Sequence, residues 1–350
     1  MKDLLVKPNI TIRQAMKKLN QYGKKCLVII DETQTLLGTL SDGDLRKAIL
    51  NGSNMADSIH KIYQENPTVL ISGKYKHDEA KKLFTKSMFD LIPVVDNKRK
   101  LIDVLHWEKV LSNGGGKTSK DKLNVPVVIM AGGKGARLEP FTKVLPKPLV
   151  PIHDKPIIEH IIERFTDIGC SEFHLTVNYK GKILKAYFEE LQPEYDVAFV
   201  DEKEPLGTAG SLQYLKGTFE KPFFVTNCDI IIKADYANLY EFHQKGKYDI
   251  TLVASAKEYI IPYGTCELND NGHLSHIKEK PKYDFLINTG LYVLNPDVLN
   301  LIPKNKFYHI TRLIEDAKNQ GKKIGVFPID DDAWIDIGHW AEYKKAIDKF

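Results

Sequence analysis

Cysteine is scarce in this sequence, and the spacing of the few cysteines excludes the common cysteine-based sites. The four cysteines of the 350-residue chain are scattered and form no Cys-x-x-Cys pair. This argues against a structural zinc site or a redox dithiol. We therefore interpret Cys26, Cys170, Cys228 and Cys266 as reduced core residues, and we expect a cytoplasmic protein without disulfide bonds.

The sequence also lacks a large excess of charge of one sign and long hydrophobic runs. Its 50 basic and 46 acidic residues leave a formal net charge of +4, so we expect no extended nucleic-acid surface, although a local basic pocket is compatible with this balance. No run is long enough to cross a bilayer, and the N-terminal MKDLLVKPN lacks the apolar region of a signal peptide. We therefore expect neither nucleic acid nor membrane as a partner.

The most informative stretch is Val125–Pro156, where an apolar run leads into a glycine-rich loop. Val125–Met130 has the length and β-branched composition of a strand. The loop that follows, AGGKGAR, lets main-chain N–H groups approach a ligand closely because its glycines carry no Cβ. A strand that enters such a loop, followed by cations, predicts a polyphosphate site. It matches neither the Walker A motif nor the dinucleotide fingerprint. The loop glycines are Gly132, Gly133 and Gly135, and the cations are Lys134, Arg137, Lys143 and Lys147.

Residues 1–112 contain an internal repeat with an offset of 65 residues. The offset pairs Ala15 with Ala80 and Leu27 with Ile92, and each copy reads helix, strand, turn, strand, helix. A unit this small rarely buries a core alone, so we expect the two copies, at about 1–55 and 56–112, to pack on each other.

The repeat resembles a tandem pair of cystathionine-β-synthase (CBS) domains, an α/β Bateman module. In such modules a Gly-x-x-Ser/Thr-x-x-Asp run binds nucleotide, and this chain has it at 38–44. The resemblance implies that Ser41 contacts the phosphate and Asp44 the ribose of a regulatory nucleotide. The alternative is that Ser41 only caps the next helix. His106 and Lys109 replace these residues in the second copy, so we expect at most one ordinary nucleotide site. The alternative is a module that serves only for dimerisation, in a homodimer or higher homo-oligomer.

A polar, glycine-rich segment at 113–124 predicts a flexible linker and a domain boundary. After it, strand-like and helical patterns alternate to the end of the chain. This alternation predicts an α/β domain over 125–350 with a mostly parallel sheet, in which ligands bind outside the carboxyl ends of the strands.

Further polar residues follow predicted strands in this second region. Asp229 ends the run FFVTNCD, and Asp336 lies in WIDIG. Two carboxylates together with a phosphate loop predict Mg²⁺ held partly by substrate phosphates, since this ion prefers one or two carboxylates plus phosphate oxygens. Glu279 and Lys280 place a carboxylate beside an ammonium group, and Gly207 belongs to a second glycine-flanked loop, LGTAG.

These motifs together resemble the sugar-1-phosphate nucleotidyltransferases. The family signature G-G-x-G-x-R-L-x-P-x-T…P-K-P-L-x-P…K-P is matched at 132–142, 146–151 and 155–156, and the later motifs follow in the family's order. The resemblance implies a Rossmann-like (GT-A-like) fold. It implies transfer of a nucleotidyl group from a nucleoside triphosphate to a sugar-1-phosphate, with release of pyrophosphate. This chain departs from many relatives at Ala136, where they carry Thr, and at Cys228, where they carry Gly.

The resemblance also implies a role for each site residue. Asp229 and Asp336 would hold Mg²⁺, while Arg137 and Lys147 would neutralise the triphosphate. Main-chain groups of the glycine loops would read the base. The sugar phosphate would contact the four remaining residues of the predicted site, which are Gly264, Glu279, Lys280 and Asn288.

The run EPLGTAG resembles the mannose- and heptose-phosphate guanylyltransferases more than the thymidylyltransferases, which favours GTP. The fusion to a CBS pair resembles a subgroup associated with legionaminic acid biosynthesis, which favours glucosamine-1-phosphate or a related amino-hexose. Three alternatives remain at this level: mannose- or heptose-1-phosphate as the acceptor, UTP, dTTP or CTP as the donor, and a nucleotide sensor with a degenerate catalytic domain.

Overall fold

The computed structural model describes residues 4–22, 25–76, 79–80, 82–84, 89–106 and 123–349. The predicted linker up to residue 122 and the predicted substitution at Lys109 lie outside these residues. Among the described residues, no helix combines the length and the apolar composition that crossing a membrane requires.

The helices with defined bounds are α1 (Ile12–Tyr22), α2 (Asp42–Leu50), α3 (Phe141–Val144), α4 (Ile157–Thr166), α5 (Gly181–Leu191), α6 (Tyr236–Gly246), α7 (Ile310–Asn319) and α8 (Trp340–Lys349). Short 3₁₀ helices cover Ile59–Lys61, Ala136–Leu138, Lys147–Leu149, Gly210–Leu215, Pro296–Leu301 and Asp331–Ala333.

The strands before residue 160 are β1 (Leu5–Val6), β2 (Cys26–Ile30), β3 (Leu36–Ser41), β4 (Leu70–Ile71), β5 (Leu91–Val95), β6 (Leu101–His106), β7 (Val127–Met130), β8 (Pro151–Ile152) and β9 (Lys155–Pro156). The later strands are β10 (Glu172–Val177), β11 (Asp196–Asp201), β12 (Phe223–Asn227), β13 (Ile230–Ile232), β14 (Ile250–Ile260), β15 (Thr265–Leu268), β16 (Leu274–Lys278), β17 (Lys282–Leu294), β18 (Ile324–Asp330) and β19 (Trp334–Asp336).

The two N-terminal copies form matching three-stranded sheets, in the orders β1-β2-β3 and β4-β5-β6. In each copy the first two strands are parallel and the last two antiparallel. The copies pair through equivalent positions, because Leu36 N–H donates to Arg99 C=O and Leu101 N–H donates to Gln34 C=O, both at 3.0 Å. Leu36 and Leu101 are equivalent at the offset of 65 residues, and so are Gln34 and Arg99, so the predicted repeat and its mutual packing are confirmed.

A seven-stranded sheet, in the order β11-β10-β7-β12-β17-β14-β18, forms the framework of the C-terminal region. The four strands β11, β10, β7 and β12 are parallel neighbours, whereas β17 runs antiparallel to β12. The predicted α/β fold is confirmed, with a mixed sheet. Helices cover it with apolar faces of helical period, as in α7, where Ile310, Leu313 and Ala317 are buried.

The helical pattern at Thr208–Leu215 is one of those that alternate with strands in the sequence, and the α-helix that it predicts is wrong in type and in its start. The structure has a 3₁₀ helix over Gly210–Leu215. The N–H groups of Ala209 and Gly210 both donate to the Tyr308 carbonyl, at 3.0 and 3.1 Å. These bonds to a distant segment take the place of the first turn of an α-helix.

The chain divides into two compact units that do not follow its order. The first contains Met1–Thr118 together with Ala256–Leu286 and Asp330–Asp332. The second contains Ser119–Ser255, Ile287–Ile329 and Ala333–Phe350. The predicted substrate residues are therefore shared between two units, each of which is described by itself below.

Candidate active site

The glycine loop begins at the carboxyl end of β7, in the middle of the parallel part of the sheet. The N–H of Ala131 donates to the Thr176 carbonyl of β10 at 3.0 Å, which ties the start of the loop to the neighbouring strand. Further along, Thr142 Oγ1 donates to the Gly135 carbonyl at 2.9 Å. The loop is therefore held at both ends, while Gly133 lies exposed in open space.

Four predicted catalytic residues lie close together in the second unit, and three of them surround Gly338. A Cβ built on Gly338 would lie 2.9 Å from Asp336 Oδ1, 3.0 Å from Asp229 Oδ2 and 3.7 Å from Arg137 Nη2. Only glycine leaves room for these groups at this position. Strands β13 and β19 bring the two aspartates together, since Asp336 pairs with Ile230, the residue that directly follows Asp229.

The fourth residue is Lys147, which forms an ion pair with Asp229 through Nζ and Oδ2. The side chains are only 9% and 15% exposed, so this pair is shielded from water. Charges that are removed from water need a partner, and each of these supplies it to the other. The pair therefore fixes an ammonium and a carboxylate before any substrate arrives.

The two aspartates fit a magnesium ion. Their oxygens approach one point, and among the described residues no cluster of three or more His, Cys, Asp or Glu side chains could form an all-protein metal cage. Magnesium typically takes one or two carboxylates and completes its shell with water and phosphate oxygens. Asp229 and Asp336 are the residues that would hold it.

The neighbouring thiol does not take part in this chemistry. Cys228 precedes Asp229 and is buried, as is Cys170, whereas the core position predicted for Cys26 and Cys266 is wrong, because the first is half-buried and the second exposed. Burial, and secondarily the charge of Asp229, raise the pKa of this thiol to about 12. Because the thiolate is the nucleophilic form of cysteine, Cys228 is inert at neutral pH.

The segment after Asp336 packs on the segment after the glycine loop. Arg137 Nη1 and His339 Nε2 are 2.5 Å apart, and Trp340 Nε1 donates to the Glu139 carbonyl at 2.5 Å. The ring of Trp340 also lies 5.3 Å from that of Phe141. The sequence interpretation noted Gly338 only as the last residue of WIDIG and missed His339, which directly follows that motif.

A further residue that the sequence interpretation missed is Glu202, which follows β11. The residue is 8% exposed, and its carboxylate lies against the glycine loop, because a Cβ built on Gly132 would be 2.9 Å from Glu202 Oε1. Burial raises the pKa of this carboxyl group, and the N–H of Leu206, which donates to Oε2 at 3.2 Å, opposes that shift. The signal that could have identified Glu202 in the sequence is its position directly after a strand, five residues before Gly207.

Two predicted glycines lie in tight surroundings. A Cβ on Gly207 would be 2.8 Å from the Tyr308 carbonyl, and one on Gly135 would be 3.1 Å from Cβ of Lys147. Close packing against Tyr308 therefore accounts for a glycine at position 207. Gly135, in contrast, lies against Lys147, a predicted catalytic residue.

The predicted sugar-phosphate residues are divided between the units. Asn288 belongs to the second unit, where Nδ2 donates to the Tyr292 hydroxyl at 2.8 Å. The other three belong to the first unit and are exposed. There a Cβ on Gly264 would lie 3.1 Å from Glu279 Oε2, so these two residues are neighbours. Lys280 has a φ of +44°, a conformation that costs a non-glycine residue about 1 kcal/mol or more.

In the N-terminal module, Ser41 and Asp44 bond to each other. The Ser41 hydroxyl accepts from the Asp44 N–H at 3.1 Å, and Asp44 Oδ2 accepts from the Ser41 N–H at 2.8 Å, which forms a capping box for α2. The Ser41 hydroxyl also donates to Asp44 Oδ2 at 2.6 Å. The capping role that was the alternative for Ser41 is thus confirmed, and the regulatory nucleotide stays a prediction.

Comparison with known proteins relates this geometry to one family. Residues 126–350 match the family model for nucleotidyl transferases, and residues 1–51 match that for the CBS domain. The chain is 34% identical over 221 residues to mannose-1-phosphate guanyltransferase 2 of Candida glabrata, and 36% over 221 residues to mannose-1-phosphate guanyltransferase of Saccharomyces cerevisiae. Each alignment covers 60% of this chain and 60% of the relative, so the chain spans about three fifths of the length of these curated relatives.

Among solved structures, HddC from Yersinia pseudotuberculosis has a TM-score of 0.52 and is 28% identical, with coverage of 65% of this chain and 99% of that protein. A second structure of HddC, described as complexed with GMP-PN, has a TM-score of 0.51 at 27% identity, with coverage of 65% of this chain and 99% of that protein. The match to the family model covers more than half of the chain, and Arg137, Asp229 and Asp336, which were predicted from the sequence, lie together around Gly338. The chain belongs to the nucleotidyl transferase family and carries a CBS domain at its N-terminus.

Proposed function

We propose that the chain transfers a guanylyl group from GTP to a sugar-1-phosphate and releases pyrophosphate. The convergence of Arg137, Lys147, Asp229 and Asp336 beside the glycine loop carries this proposal. Both substrates are polyanions, so the main task of such a site is to screen their repulsion and to hold them in line.

The reaction needs no general base, because the nucleophile is already an anion. An oxygen of the sugar-1-phosphate forms a bond to the α-phosphorus of GTP, and the bond from that phosphorus to the bridging oxygen of the β-phosphate breaks. Pyrophosphate leaves with the electron pair. Arg137 stabilises the charge that develops on the leaving group, and Lys147 neutralises the phosphates from its buried position.

The bound magnesium ion would supply charge neutralisation on the phosphate oxygens. Asp229 and Asp336 hold their carboxylates beside Gly338 for this purpose. His339 holds the Arg137 guanidinium from the other side by accepting from Nη1.

The choice of GTP is supported by Glu202. Guanine presents two adjacent donors on its Watson–Crick edge, N1–H and the N2 amino group, and a carboxylate accepts from both. Uracil and thymine place acceptors on both sides of their single N–H, and cytosine and adenine place a ring acceptor next to their amino group. A buried carboxylate beside Gly132 therefore favours guanine and repels the alternatives.

On the sugar side, we propose an amino-hexose-1-phosphate such as glucosamine-1-phosphate. Glu279 offers a carboxylate that accepts from hydroxyl groups and pairs with a protonated amine, and the neighbouring Lys280 offers a cation for the phosphate. Mannose-1-phosphate is the second candidate, because the compared relatives carry that name.

Homodimerisation and a regulatory nucleotide at Ser41 and Asp44 belong to the same proposal. In the capping box both groups already have partners. A nucleotide that bound there would have to replace the hydroxyl-to-carboxylate bond, so we propose a weak, regulatory site at most.

The test is pyrophosphate release with four nucleoside triphosphates against glucosamine-1-phosphate, mannose-1-phosphate and a heptose-1-phosphate. We expect release with GTP and one of these acceptors, dependent on Mg²⁺. Release with a different triphosphate would overturn the assignment of GTP. No release with any pair, in a protein that still binds nucleotide at the N-terminal module, would support a nucleotide sensor instead.

A further inference from the structure

The segment that carries Gly264, Glu279 and Lys280 has little support of its own. We call residues 256–286 the arm. Within it, β15 and β16 pair with each other as a two-stranded sheet, and nearly all their residues are exposed. A two-stranded hairpin without a packed face is only marginally stable in water. The arm continues from the paired strands β14 and β17, and a further contact at its base adds to its support.

That contact is with the CBS module, in the first compact unit. Ala256 at the start of the arm is 3% exposed and belongs to the same hydrophobic core as Ile12 and Met16 of α1. Next to Ile12, Arg13 Nη1 donates to the Ala256 carbonyl at 3.2 Å. One helix of the CBS module thus supplies both apolar packing and a charged donor to the base of the arm.

We propose that Arg13 is a positioning residue for the sugar-phosphate side of the reaction. It fixes the base of the arm, and through the arm it fixes Glu279 and Lys280. The nucleotide-side residues Lys147, Asp229 and Glu202 all belong to the other unit. This inference rests on the proposed role of Glu279 and Lys280, and it assigns to the CBS module a selective effect on the sugar-1-phosphate.

The test compares Arg13→Gln with Arg99→Gln. Arg99 is a matched control, because it also donates to a backbone carbonyl within the module, that of Glu65, at 2.7 Å. We expect Arg13→Gln to raise the KM for the sugar-1-phosphate on the order of 10-fold, the effect of one lost charged hydrogen bond, with the KM for GTP within about twofold of wild type. Arg99→Gln should leave both values unchanged.

Hydrogen exchange supplies a readout that does not depend on activity. Peptides from 265–278 should exchange faster in Arg13→Gln than in wild type and Arg99→Gln, whereas peptides from β10 should not change. If exchange rises throughout the chain, or if both KM values rise equally, Arg13 is only a structural residue and the inference fails. If wild type releases no pyrophosphate but the arm alone loosens in Arg13→Gln, the proposed function fails and the positioning of the arm stands.

Discussion

The residues proposed for the two substrates differ in how far the protein has already fixed them. On the nucleotide side, Lys147 and Asp229 are shielded and paired, and Glu202 is buried against the glycine loop. On the sugar side, Glu279 and Lys280 are exposed on a two-stranded hairpin. The nucleotide side is therefore organised in advance, whereas the sugar side depends on the anchoring of the arm. Substitutions on the nucleotide side should therefore lower activity more than substitutions on the sugar side.

The largest effect is expected at the paired aspartates. Asp229→Ala or Asp336→Ala removes one of two carboxylates proposed for the metal, which is worth several kcal/mol, so turnover should fall by about 10³-fold or more. The measurement is pyrophosphate release over a titration of Mg²⁺, and chelation of the metal in wild type should give the same loss. Full activity in either variant would remove that residue from the metal site.

Lys147 should follow, because it is the buried cation of the site. Lys147→Ala is expected to lower kcat by about 10²- to 10³-fold, since it removes a charge that is already in place when the transition state forms. Lys143→Ala is the matched control, because Lys143 is an exposed lysine of the same segment, paired with Glu139. A change confined to the KM for GTP would mean that Lys147 binds only the ground state.

Glu202 tests whether the nucleotide side also reads the base. Glu202→Gln replaces one acceptor oxygen by a donor that faces the guanine N–H groups. We expect kcat/KM for GTP to fall about 10- to 100-fold, with a smaller change for UTP. Asp201→Asn is the control, because this neighbouring carboxylate is exposed and paired with Lys185. Equal losses for all triphosphates would place Glu202 outside base recognition.

The smallest effect is expected on the arm. Glu279→Gln should raise the KM for the sugar-1-phosphate by about 3- to 10-fold and leave the KM for GTP unchanged, because an exposed hydrogen bond contributes about 1 kcal/mol. Glu267→Gln serves as the control, since Glu267 is an exposed carboxylate of the arm, paired with Lys278. A loss as large as that of Asp336→Ala would break the comparison and make the arm part of the reacting centre.

Much of the fold could be predicted from the sequence because its signals are local. The repeat, the strand before the glycine loop and the alternation of strands and helices are periodic patterns of apolar residues. The prediction of a helix at Thr208–Leu215 was wrong because the structure there depends on a contact with a distant segment. The N–H groups of Ala209 and Gly210 bond to Tyr308, about a hundred residues away, and no local pattern carries that information.

The sequence by itself determined which side chains we propose for phosphate transfer, because the motifs that resemble the family signature contain Arg137, Lys147, Asp229 and Asp336. Only the tertiary structure decided that Gly338 leaves room for them, that Lys147 neutralises Asp229, and that Glu202 lies against Gly132. It also decided that Arg13 and Ala256, 243 positions apart, share a hydrogen bond. Contacts of this kind depend on which segments the packed strands and helices bring side by side, and spacing along the chain does not encode that.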